Sequence, residues 1–222
     1  MPESKQRGLW PGAISVWGAS PSITDCVFRG NAATFGASAI GLVDSSSEIR
    51  NCVFSFNAAT ALSSSVGGAI VMSSGGGVKS VRLVNCSFFD NTSTKGGALA
   101  LDAATAAVVV NCTFSHNVGR DRGGAIWIAS GATGLTVVDS ILWGDSPEEI
   151  LSEGTTSISM AYSDVSGGAS GVGNINTDPL FVDEIGRDFR LQGGSPCIDT
   201  GRNTGTSEFG NVLDDIEGNP RG

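Results

Sequence analysis

His116 is the only histidine of the chain, and it stands in a short turn directly before Asn117. General acid–base chemistry needs a group poised beside a reacting proton. His116 sits in a turn beside the recurring Asn positions described below, so it reads as a turn residue. The richest ionic stretch is Arg120-Asp121-Arg122, which aligns with Thr94-Lys95 one repeat earlier. Lys95, Arg120 and Arg122 would form a small basic spot beside Asp90, able to hold an anionic sugar; the plainer reading is solvated turn charges. Asp139 and Asp145 are candidates for the two facing carboxylates of a glycoside hydrolase, but Asp139 fills a slot held by Asn in earlier repeats and reads as structural. Asp214, Asp215 and Glu217, followed by Gly218, space oxygen ligands as a Ca²⁺ loop does. A structural Ca²⁺ there is the single metal expectation, and no other cofactor is implied. Trp127 alternates with Ile126 and Ile128 and should face outward, and Trp17 falls in a comparable stretch. Both rings could stack on a sugar, or pack under a loop.

The composition limits the partners. The chain has 222 residues, a net charge of −9 and no basic cluster. Nucleic-acid binding depends on Lys and Arg neutralising phosphates, so it is set aside. Anionic membrane surfaces are disfavoured on the same ground. The longest largely apolar run, Ala103–Val110, is too short to span a bilayer. The first residues, MPESKQRGLWPG, hold no apolar segment of the signal-peptide kind. The expectation is a cytosolic chain or a piece of a longer secreted one, and the family resemblance described below implies the second. Charged residues are only 16% and Gly numbers 32, which suits a turn-rich β protein with few helices.

What positions these residues is a repeat. Cys-Val-Phe at 26–28 recurs as Cys52-Val53-Phe54, Cys86-Ser87-Phe88 and Cys112-Thr113-Phe114, each followed three residues after the Phe by Asn31, Asn57, Asn91 or Asn117. Weaker copies begin at Ser140 and Ser163, so the Cys/Ser position advances by 26, 34, 26, 28 and 23 residues. A second motif interleaves: the Ala of Gly12-Ala13-Ile14, Ala39-Ile40, Ala69-Ile70, Ala98-Leu99 and Ala125-Ile126 advances by 26, 30, 29 and 27. Before each Cys lies a stretch of period-2 alternation such as Ser80-Val81-Arg82-Leu83, the mark of a strand with one buried face. The inward phase then slips at Asn or Asp, so a corner stands there, because these residues tolerate left-handed backbone angles.

Each repeat therefore holds about three short strands and no crossover helix. Strands of one repeat must pair in parallel with their equivalents in the next, about 4.8 Å apart. That is an all-β parallel β-helix, a solenoid. Six to seven coils are expected, with inward ladders of Cys26/Cys52/Cys86/Cys112 and Phe28/Phe54/Phe88/Phe114, and an amide ladder of Asn31/Asn57/Asn91/Asn117. The Cys lie one per coil rather than in close pairs, so they read as free buried thiols and not as a Zn²⁺ site. Extra residues around 60–66 and 73–77 should leave the rod as loops. The organisation expected is a tail or cap over 1–12, coils over 13–173, and a last irregular coil plus cap over 174–222.

These residues resemble a known family. Phe88–Asn91, Phe114–Asn117 and the Gly-Gly-Ala-Ile/Leu motifs are similar to repeats of bacterial polymorphic outer-membrane proteins. Asp178–Asp183, Phe189–Leu191, Ser195–Gly201 and Asp215–Arg221 resemble the tail of surface proteins of the choice-of-anchor Q type. The resemblance implies a right-handed β-helix on a secreted or surface-attached bacterial protein, and it brings no settled activity. The functional expectation is a non-catalytic, adhesin-like passenger or stalk segment contacting polysaccharide or cell-surface glycan. The alternatives are a β-helical polysaccharide lyase or glycoside hydrolase, and a purely structural spacer. No nucleic acid and no membrane insertion are expected; the oligomeric state is left open.

Overall fold

The computed structural model describes residues 12–34, 36–60 and 67–201. They wind into six coils, and each full coil crosses four sheets in a fixed order. The first, the Ile sheet, stacks Ile14–Trp17, Ile40–Val43, Ile70–Ser73, Leu99–Leu101, Ile126–Ile128 and Ile150–Ser152. The long sheet follows, with Ser22–Thr24, Ser47–Arg50, Lys79–Val84, Thr105–Val110, Gly134–Val138 and Ser157–Ala161. The Phe sheet holds Val27–Arg29, Val53–Ser55, Ser87–Phe89, Thr113–Ser115, Ile141–Trp143 and Asp164–Val165. A short fourth sheet takes Ala32–Ala33, Ala58–Ala59, Thr92–Lys95 and Val118–Arg122. All pairing in these four sheets is parallel, with one register shift in the fourth sheet between Ser93 and Lys95, and the Cys-x-Phe stretches are aligned residue for residue from Val27↔Val53 to Thr113↔Ile141. The expected three strands per repeat are thus four, because a short strand follows each Asn of the amide ladder. Among the described residues no helix is long and apolar enough to cross a membrane.

The corners explain how so small a cross-section closes. Between the long and Phe sheets a single residue takes left-handed angles: Asp25, Asn51, Asn85, Asn111, Asp139 and Tyr162, with φ between 51° and 55°. That is where the alternation slips in the sequence. A second left-handed column follows the Phe sheet at Gly30, Phe56, Asp90, His116 and Gly144. The return to the Ile sheet needs glycine for space as well as angle, since a Cβ at Gly97 would meet the Gly124 carbonyl oxygen at 2.3 Å.

The core is built from columns. Phe28, Phe54, Phe88 and Phe114 stack with centroids 4.9, 4.7 and 4.6 Å apart and planes within 5° of parallel. Leu142 and Val165 continue the column and are buried. Cys52, Cys86 and Cys112 are buried, Cys26 is half-buried, and all are thiols. Each donates to the carbonyl two residues earlier, Cys86 to Val84 at 3.3 Å for example, and Ser140 and Ser163 repeat that bond. Burial holds the Cys86 thiol well above its ordinary pKa. The Asn ladder runs in one direction. Each backbone N–H and side-chain Nδ2 donates to Oδ1 of the next Asn, at 3.1 and 2.8 Å for Asn57 to Asn91.

After the sixth coil the chain closes the last turn and then runs back along the rod. Ala169 packs on the core and Ile175 bridges Asp164. An antiparallel hairpin, Phe181–Asp183 with Asp188–Leu191, then lies over the outer face of the Phe sheet. Phe189 meets Phe89 at 5.2 Å, and Arg187 grips Asp90 through two bonds of 2.6 Å, three coils back from the end. The described part of the segment after the sixth coil thus reaches back along the side of the solenoid.

Candidate functional site

Trp127 does leave its sheet outward, as the alternation requires, but it is not an exposed platform. Only 6% of it is accessible. The indole lies among Ala37, Val71, Ala100, Ala129 and Leu151, and the Lys95 ammonium sits over it 4.7 Å from the ring centroid. The neighbouring coils carry small residues on that outer face, so the ring folds down onto them. Trp17, at 45% exposure, is open, with its Nε1 donating to Ser15 Oγ at 2.7 Å.

The expected basic spot is also altered. Lys95 and Arg122 converge on one carboxylate, Glu153, at 2.9 and 3.4 Å. Lys95 in turn holds Glu153 below the usual carboxylate range. Arg120 turns to the Ala59 carbonyl at 3.5 Å, and Asp90 belongs to Arg187. The cluster is therefore an internal ion network rather than a free cationic surface. Glu153 lies 58 residues from Lys95, and only the coil stacking brings them together.

The catalytic arrangements fail on access. Ser115 Oγ lies 2.9 Å from His116 Nδ1, and His116 Nε2 lies 3.4 Å from Glu184. In composition this is a serine–histidine–acid relay. Ser115 is nevertheless wholly buried and donates to the Trp143 carbonyl at 2.8 Å, so no substrate can reach it. Asp139 and Asp145 do not face one groove. Asp139 occupies the left-handed corner, while Asp145 is buried at the foot of the Asn ladder and accepts from Asn117. Asp214, Asp215 and Glu217 lie outside the described residues. Among the described residues no three metal-binding side chains converge.

Among the described residues a shallow trough of about 360 Å³ lies on the outer face of the long sheet, across the first three coils. Ser20, Ser22, Ser46 and Ser80 line it with hydroxyls, and Glu48 and Arg82 supply charge. The serines are ordered coil to coil: Ser46 N–H donates to Ser20 Oγ at 3.3 Å and Ser80 N–H to Ser46 Oγ at 3.2 Å. Glu48 is tied to Arg50 at 2.6 Å. Arg82 Nη2 is buried without a hydrogen-bond partner. Burial works against the Arg82 charge and Glu48 supports it. A guanidinium lining an open trough is suited to an anionic oxygen. The sequence named Arg82 only as an outward strand residue, because nothing local marks it.

Four parallel sheets closed by one-residue corners, filled by stacked side-chain columns, define a parallel β-solenoid. The family model described as a right handed beta helix region matches residues 12–174, most of the chain, and the chain belongs to that family. No curated protein and no solved structure matches it.

Proposed function

We propose that this chain is a non-catalytic β-helical segment of a secreted or surface-attached protein, and that its long-sheet trough contacts glycans. The observation that carries the reading is the trough itself. Ordered hydroxyls and the Arg82 guanidinium line an open face, a combination that suits a sugar bearing an anionic group. Among the described residues the acid lining it is Glu48, already neutralised by Arg50, and no second described carboxylate lines the trough to complete a hydrolytic pair. The likeness of the repeats to polymorphic outer-membrane proteins, and of the tail to choice-of-anchor Q proteins, supports a place at the cell surface.

The test is a panel of acidic and neutral polysaccharides, read by pull-down and by appearance of unsaturated or reducing products. Retention without turnover is expected, weakened roughly tenfold or more in Arg82→Ala, the loss of a charged hydrogen bond. Trp17→Ala examines the one open indole among the original candidates. Turnover would restore the lyase or hydrolase reading, and neither retention nor turnover would leave a structural spacer.

A further inference from the structure

Two ladders change chemistry in the same turn. The Asn ladder 31–57–91–117 ends on Asp145, whose Oδ1 accepts the Asn117 backbone N–H at 2.6 Å and Nδ2 at 2.7 Å. The inward Ala column 39–69–98–125 ends on Glu149. Its carbonyl receives the Ala125 and Ile126 N–H groups just as Ala69 receives those of Ala39 and Ile40. Each of those alanines is fully buried, so Glu149 enters the interior where a methyl group stood. Its Oε1 accepts the Asp145 N–H at 3.2 Å. Asp145 and Glu149 are each only 7% exposed, and their second oxygens, Oδ2 and Oε2, are buried with no donor.

Two acceptor-only carboxylates side by side in a water-poor interior repel and cannot satisfy one another; one hydrogen between them removes both faults. We propose that Asp145 and Glu149 form a proton-binding site, sharing one hydrogen between Oδ2 and Oε2 at neutral pH, and that the solenoid takes up this proton as it folds. Burial, first of all, raises both carboxyls above their ordinary values; Glu149 raises Asp145 further, while the hydrogen bonds from Asp145 pull Glu149 part of the way back. They titrate as a pair. The charged groups on the surrounding elements are engaged elsewhere. Glu148 accepts the Gly123 N–H at 2.7 Å, Arg122 turns to Glu153, and Arg120 and Asp121 are exposed. His116 and Glu184 pair with each other on the outer surface beside Gly144.

The sign follows from linkage. In the unfolded chain both acids ionise near pH 4. Above that the folded state holds one more proton than the unfolded, so stability falls as pH rises until the pair itself ionises. The experiment is urea unfolding of the full chain from about pH 5 to pH 9, beside Asp145→Asn and Glu149→Gln. Each substitution supplies a permanent N–H in place of the shared proton. The wild-type unfolding constant should rise with pH more steeply than that of either variant, by up to tenfold per unit. Infrared spectra of the wild type at neutral pH should carry a protonated-carboxyl C=O band that neither variant shows, a readout that stands even where a variant fails to fold. Equal slopes, or absence of that band, would overturn the assignment. So would stabilisation by added Ca²⁺ at high pH that is lost in both variants, since a cation would then occupy the place of the proton.

Discussion

Asn91 accepts from Asn57 through one oxygen and donates to Phe54 and Asn117 through one nitrogen, all in a buried place. Asn91→Ala removes the acceptor of two Asn57 N–H groups and the side-chain donor to the Phe54 carbonyl and Asn117 Oδ1, so it should lower stability by about 3 kcal/mol or more, read by urea unfolding. Phe88→Ala, which opens a hole between two stacked rings, should cost about 3–5 kcal/mol in the same assay. Such residues were legible because they recur at a fixed period, and repetition distinguishes a core position from chance. Trp127 was legible in direction but not in exposure: its cover comes from Lys95 in the third coil and from small neighbours, which alternation along one strand does not report. Glu149 was hidden for a related reason. Glu148-Glu149-Ile150 stands where earlier coils have Gly or Ser followed by Ala-Ile or Ala-Leu, so the motif ends one coil before the solenoid does.

Among the elements, the hairpin of Phe181–Asp183 and Asp188–Leu191 has the least backbone support, since its strands pair only with each other. Its hold on the rod is Phe189 against Phe89 and the Arg187–Asp90 pair. Arg187→Ala should raise amide exchange of residues 181–191 roughly tenfold, the scale of one partly buried charged contact, while the coils stay protected. The three longer sheets were readable from alternation and motif. The short sheet was not, because two-residue strands such as Ala32–Ala33 carry no period, and only the stacking of the Asn corners beside them creates it. The hairpin's path back along the Phe sheet had no local signal either, as its anchor Asp90 lies 97 residues away.

For the molecule as a whole, six coils share one interior, and access to that interior is from its ends. Of the ladder thiols, Cys26 in the first coil is half-buried while Cys52, Cys86 and Cys112 are enclosed. Disulfide-exchange labelling at neutral pH should therefore modify Cys26 first, with the other three reacting only as fast as the chain unfolds. Slow uniform reaction of all four would contradict this. The one-way donation along the Asn column has a further consequence. A row of amides that all point the same way has a head and a foot, and the foot must accept without having to donate onward. An acid meets that need, and Asp145 stands there. The rod is thus a counted object with a terminus written into its side chains: duplicating residues 86–111 upstream should lengthen it by one spacing of about 4.8 Å, whereas a coil inserted after Asp145 would set an amide row against a group that has nothing to give it.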